Sequence, residues 1–241
     1  MRSLFLSLVL ALPALAGEHQ RFLLPVGPAG RPSTVHAYLF NSGRETIRIV
    51  DQGGLSHQAQ PDLGAVALEA GANAAINGGP FTPEGEPIGL TIADGRAVGS
   101  PLNTGAVLWV ENGKAGMSPA PSYDFKANHP SQLLQAGPLL IVEGAAVEGL
   151  DASRYHRRSL ILTDGADLWA IAYVPGATLE GLAKTLTKPG AFPAFRPKTV
   201  LALDGGSSSG LWLRRESGQQ FYLREISKIR NCLVIVPRNQ G

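Results

Sequence analysis

Apolar residues in this chain come in short runs, and nearly every run ends at Gly, Pro, Asn or Asp. Residues 34–40 and 45–51 read as two strands joined by an Asn41-Ser42-Gly43 turn. Residues 72–76 run straight into Asn77-Gly78-Gly79. Residues 88–92 precede Asp94-Gly95, and 106–110, 139–142 and 159–162 follow in the same style. Residues 168–174, after Asp164-Gly165, form the expected hairpin partner of 159–162. Residues 200–203 stop at Asp204, and 233–236 make the last strand. The 29 Gly and 18 Pro supply most of these stops, which leaves little uninterrupted chain for helix. Only two helices are signalled. One spans 61–70, with Pro61 at its start and Gly71 after it. The other follows Thr178 as N-cap, places Leu179, Leu182, Ala183 and Leu186 on one face, and ends at Pro189-Gly190. Helices do not alternate with strands, so a regular βαβ fold is excluded. The expectation is a single α+β domain with a mixed, largely antiparallel β-sheet and few helices. Residues 112–130, rich in Pro and small residues, read as irregular: a loop over a site, or a variable connection.

The N-terminus reads as a leader. Arg2 supplies a positive start, residues 4–12 an apolar run and Ala14-Leu15-Ala16 a small-residue cleavage signal. The run is short for a bilayer span, and Gly17-Glu18-His19 does not extend it. The expected organisation is a signal peptide over 1–16 and a domain over 17–241. The protein would then be exported, periplasmic or secreted, with no membrane span after cleavage. No Cys follows the cleavage point, which argues against a lipid anchor. The one cysteine, Cys232, lies in an apolar run and reads as a core residue, not a nucleophile or ligand. A net charge of +2 without a basic stripe gives no footprint for nucleic acid.

Two glycine-rich loops stand at strand exits. They are Asn77-Gly78-Gly79-Pro80-Phe81 and Asp204-Gly205-Gly206-Ser207-Ser208-Ser209-Gly210. Each lets backbone approach a ligand closely, and successive N–H groups there can cradle an anionic oxygen. Either loop alone reads equally as an ordinary turn. Arg157-Arg158, before a strand, offers a guanidinium fork for phosphate or a solvated surface pair. Gln135-Ala136-Gly137-Pro138 is either a structural turn or a place for Gln135 to bond a sugar hydroxyl. Gly206-Ser207-Ser208-Ser209-Gly210 fits the G-x-S-x-G nucleophile pattern, but no His or Asp follows Ser208, and Leu211-Trp212-Leu213 reads as strand where that motif needs helix. The histidines form no ligand-spaced pair, and there is no C-x-x-C, Walker loop or dinucleotide fingerprint. No cofactor is certain. A divalent cation on carboxylates and carbonyls stays open, because such ligands leave little trace in sequence.

Taken in order, these loops resemble the phosphodiester glycosidases, the family of the enzyme that uncovers mannose 6-phosphate. Residues 75–81 resemble that family's Asn-Gly-Gly-aromatic-Phe motif. Pro87-Ile88-Gly89-Leu90, Asp94-Gly95, Pro101-Leu102-Asn103, residues 135–140, Arg158-Ser159 and residues 203–208 continue the likeness across 72–210. Pro80 departs from the usual aromatic, and Ser207 from a frequent third Gly. The resemblance implies an α+β glycosidase acting on a small glycosyl phosphodiester or a cell-envelope phosphoglycan. It implies catalytic roles for Asp204, Arg158 and Asn77. It implies substrate contacts from Gly78, Gly79, Phe81, Asn103, Gln135, Gly137, Gly205, Gly206 and Ser207. In such a mechanism the glycosidic C–O bond breaks through an oxocarbenium-like transition state, and Arg158 with the glycine amides holds the departing phosphate. For a second carboxylate, Glu84, Glu86, Asp94 and Glu143 remain open.

Overall fold

The computed structural model describes residues 17–54 and 60–238; the expected leader, 1–16, lies outside the described residues. Along the chain the elements are β1 (Glu18–Leu24), β2 (Ser33–Asn41), β3 (Glu45–Asp51), α1 (Leu63–Glu69), β4 (Ala74–Asn77), β5 (Thr91–Ala93) and β6 (Arg96–Val98). There follow β7 (Ala106–Glu111), β8 (Lys114–Pro119), β9 (Gln132–Ala136), β10 (Leu139–Val142), β11 (Ala145–Ala146), β12 (His156–Thr163) and β13 (Leu168–Ala177). The last are α2 (Leu179–Leu186), β14 (Thr199–Ala202), β15 (Leu211–Arg214), β16 (Gln220–Leu223) and β17 (Asn231–Pro237).

The α+β class holds, and the strands divide among three sheets. Their orders are β1-β2-β13-β12-β14-β10-β11, β16-β15-β4-β17-β3 and β6-β5-β9-β7-β8. Every pairing among the described strands is antiparallel. The turn after β2 therefore does not close a hairpin. It hands the chain from the first sheet to the second, where β3 pairs with β17.

The three sheets converge on one core, to which Phe40 and Ile171, Ile76 and Leu233, and Leu108 and Leu134 contribute from the respective sheets. The outer face of the first sheet is covered by α2 through Leu182, Ala183 and Leu186. That of the second is covered by α1 through Leu63, Val66 and Ala67, with Trp212 fully buried beneath it. Strands covered on both faces need apolar side chains at every position, which explains the continuous run in β17. There Leu233 and Ile235 face the common core, while Cys232, Val234 and Val236 face α1.

Both helices are capped as their sequences direct. Asp62 accepts from Ala65 N at 2.9 Å, and Thr178 Oγ1 from Gly181 N at 3.0 Å. The stretch 112–130 departs from the irregular reading, because its first part is β8, hairpinned to β7 through Asn112 and Gly113. Strands β1, β6, β11 and β16 also carry no strong apolar signal; all four are sheet-edge strands, partly solvated.

Candidate active site

The site is built where β4 and β14 leave the core side by side. Asn77 ends β4, fully enclosed at 1% exposure. Its Nδ2 donates to the Asp204 carbonyl at 2.7 Å. Its Oδ1 accepts from Ser159 Oγ at 2.6 Å and from Gly210 N at 3.2 Å. Asp204 N in turn donates to Gly78 O at 2.9 Å. The two glycine loops, far apart in sequence, are thus sewn into one unit. Asn77 lies inside that unit, not at its surface.

Asp204 is half-buried at the exit of β14. Gly205 N donates to its Oδ1 at 2.9 Å. Burial pushes the carboxyl above its ordinary pKa, against the opposing pull of the Ser208 hydroxyl and the Gly205 N–H. Beyond it, Gly206–Ser208 forms a single 3₁₀ turn, with Gly206 at φ 65°, and the chain passes directly into β15. A strand after the serines removes the nucleophile-elbow geometry. Ser207 is exposed, and its carbonyl is braced by Ile226 N at 2.7 Å and Ser227 N at 3.1 Å.

Arg158 reaches the same place from β12, just past a register break opposite β13. Nε donates to Ala177 O at 3.0 Å and Nη2 to Arg154 O at 2.8 Å. Nη1 lies toward Gly205, where an added Cβ would sit 3.7 Å from it and only 3.1 Å from Arg157 O. A side chain at 205 would therefore have to push Arg157 O aside by a few tenths of an ångström. Burial lowers the Arg158 pKa from its ordinary value; Asp151 works against that and Arg154 with it. No ion pair joins Arg158 to Asp204 among the described residues.

Three sequence expectations change here. The amides of Gly78 and Gly79 do not face outward: Gly78 N donates to Asn231 O at 2.9 Å, and Gly79 N to Asn231 Oδ1 at 2.8 Å. Gln135, 4% exposed, is used up inside the protein. Its Oε1 accepts from Leu90 N and Leu102 N, and its Nε2 donates to Leu102 O. It staples Leu90 to Leu102. Asn77, as described, is a tie between loops. Of the other expected contacts, Phe81 is half-buried and bridged to Pro87, and Asn103 is exposed. Gly137 precedes a cis peptide to Pro138 and lies against Gly105, whose Cα would be 3.2 Å from a Cβ at 137.

Two of the four candidate second carboxylates are engaged elsewhere. Asp94 holds Arg48 at 2.8 Å and Gln132 at 2.7 Å, and the Arg48 hydrogen bond keeps its pKa low. Glu143 pairs with Lys198 at 2.8 Å. Glu84 and Glu86 stand exposed on the turn after Phe81. Grooves also run along β3, past Arg48, Asp51 and Arg96, but Arg48 and Asp51 are already paired, with Asp94 and Arg230. Asp204, by contrast, has no ion pair among the described residues and is half-buried at the exit of β14. No three His, Cys, Asp or Glu side chains gather as a metal site among the described residues.

Asp51, Arg230 and Asn231 carry no signal of their own in the sequence, and Ser159 enters only as the neighbour of Arg158. Ser159 opens an apolar run, and Arg230-Asn231 precedes another, so their polarity reads as ordinary strand termination. Only the fold shows what they hold.

The sequence profile of the phosphodiester glycosidase family matches residues 70–236. No functionally curated sequence matches significantly. Among solved structures, the catalytic domain of zebrafish N-acetylglucosamine-1-phosphodiester alpha-N-acetylglucosaminidase, auto-inhibited by its pro-peptide, superposes with a TM-score of 0.66 at 19% identity. The match covers 92% of this chain and 83% of that one. A hypothetical protein from Synechocystis gives 0.66 at 17% identity over 91% and 62% of the two chains. A protein of Burkholderia pseudomallei, provisionally described as exported, gives 0.52 at 14% over 89% and 76%. At these identities the structures share the fold, while the profile spans most of the domain and takes in both glycine loops. The chain belongs to the phosphodiester glycosidase family.

Proposed function

We propose that the protein is an exported hydrolase that releases a sugar from a sugar 1-phosphodiester by cleaving the bond between the anomeric carbon and oxygen. One observation carries this reading. A half-buried carboxylate, Asp204, and a cation, Arg158, converge on Gly205 without neutralising one another. Such a pair suits a substrate whose two reacting ends carry opposite charge in the transition state. Positive charge grows on the sugar ring, which the Asp204 carboxylate stabilises, and negative charge grows on the departing phosphate, which Arg158 holds. Water adds to the anomeric carbon, and the phosphate monoester leaves with the bonding electrons. A phosphate is already a good leaving group, so holding its charge matters more than protonating it.

Gly205 keeps the phosphate's approach to Arg158 open, since any side chain there would press on Arg157 O. Ser207, exposed beside it, and the Gly206 backbone complete the phosphate side. Phe81 and Asn103 flank the sugar side. Asn77 acts through Asp204. The leader pattern of residues 1–16 supports export, and no helix among the described residues is long and apolar enough to cross a membrane. The substrate class is a small glycosyl phosphodiester or a cell-envelope phosphoglycan.

The test is product analysis on a panel of sugar 1-phosphodiesters, beside a folded Asp204→Ala control. Free sugar from the wild type alone supports the reading. Sugar phosphate would move the cut to phosphorus, and binding without any product would make the protein a phosphoglycan binder.

A further inference from the structure

The segment that follows β4 leaves the site at Gly78, carries Phe81, Glu84 and Glu86, and returns at Pro87. Two consecutive residues, Arg230 just before β17 and Asn231 at its start, hold it at both ends. Asn231, 1% exposed, takes both glycine amides, Gly78 N on its carbonyl at 2.9 Å and Gly79 N on its Oδ1 at 2.8 Å. The fit leaves no slack, because a Cβ on Gly78 would lie 1.9 Å from that Oδ1. Gly78 passes the constraint on, since its own carbonyl accepts from Asp204 N at 2.9 Å. Arg230, 4% exposed, works at the far end. Its Nε and Nη2 grip Asp51 at 2.6 and 3.0 Å, and its Nη1 donates to Gly85 O at 2.7 Å. A buried bidentate pair cannot swing away without stranding a charge. Gly85 is therefore tied to a fixed point.

We propose that Arg230 and Asn231 are positioning residues of the active site. Asn231 sets the Asp204 backbone through Gly78, and Arg230 sets the 82–86 turn through Gly85. The kinetic consequence rests on the glycosidase reading; the positional one does not. The experiment measures amide hydrogen exchange and steady-state kinetics on Asn231→Ala and Arg230→Lys in the full chain. In Asn231→Ala, exchange at Gly79 should rise by about tenfold or more as its acceptor is lost, with the β13 amides unchanged. Its kcat should fall by about 10²-fold with KM little changed, the size expected from a small misplacement of a reacting group.

Arg230→Lys keeps a charge for Asp51 but loses the fork. Exchange should rise at Thr82 and Gly85, whose amides close that turn, and KM should rise with kcat largely kept. A merely structural role would lower activity in both variants only in proportion to the unfolded fraction, without this split. Unchanged exchange at Gly79 in Asn231→Ala overturns the proposal. Should that variant not fold, unchanged exchange across 82–86 in Arg230→Lys overturns it alone. If the wild type hydrolyses nothing on the panel, the glycosidase reading fails, and the exchange data still decide the positioning.

Discussion

Asp204 is held by the Gly205 N–H and the Ser208 hydroxyl, Arg158 by two backbone carbonyls, and their substitutions should separate activity from stability in different ways. Arg158→Ala removes a preorganised donor, and turnover should fall by about 10²–10³-fold. It breaks two bonds to backbone carbonyls at a partly solvated position, so its melting temperature should move little. Equal loss of folding and activity would remove Arg158 from the mechanism. Asp204 behaves differently because burial raises its pKa. The folded chain keeps that proton to higher pH than the unfolded chain does. The group's contribution to stability is greatest in acid, falls as pH rises from the ordinary Asp value through the raised one, and stays lowest above it. Asp204→Asn should therefore abolish turnover, raise the melting temperature at pH 7 and flatten this part of the stability–pH profile. Thermal melts at several pH values check it, and a less stable Asn variant at pH 7 would show that the carboxylate is not strained.

Glycines divide sharply once the strands are in place. Gly78→Ala drives a methyl into Asn231 Oδ1 and should cost about 1–3 kcal/mol, roughly 2–4 °C of melting temperature for each. Gly176→Ala meets nothing within 4 Å and should be neutral or slightly stabilising. Both residues read alike in the sequence. The difference lies in a strand contributed from more than a hundred residues away, which no local pattern encodes. What the sequence did carry was local: strand exits at Asn77 and Asp204, both helices with the Thr178 cap of the second, the β12–β13 hairpin, and the strand after Ser208 that excludes a hydrolase elbow. It carried less where a partner supplies what a strand lacks. Gly116 makes β8 look like coil, yet the Trp109 ring of β7 lies across it, where a Cβ would come within 2.2 Å of the indole. Gln135 and the Gly78–Gly79 amides misled for a related reason. Polar groups beside a pocket look available until the fold shows that the protein has already satisfied them.

Across the whole molecule, the first and second sheets also meet through side chains near the start of β1. His19 and His36 lie 3.1 Å apart at their ring nitrogens, and both rest against Phe221 of β16. Burial, then His36, then Arg215 push His19 down to about 4. Burial and Arg21 lower His36 as well. The unfolded chain takes up a proton near 6.5 that folded His19 refuses until about 4. The stability contributed here is whole above pH 6.5 and is lost as pH falls through that window. Urea midpoints should decline from pH 7.5 to pH 5 in the wild type and less in His19→Gln; equal slopes would remove the histidine pair from the acid response. The second sheet has another property of scale. The last of its described strands, β17, lies between β4 and β3 rather than at an edge. Without residues 230–237 the sheet loses the strand that joins β4 to β3, and the Gly78 loop loses its anchor. A truncation just before Arg230 should therefore cost the fold together with the loop, and its product should be prone to capture by chaperones or proteases.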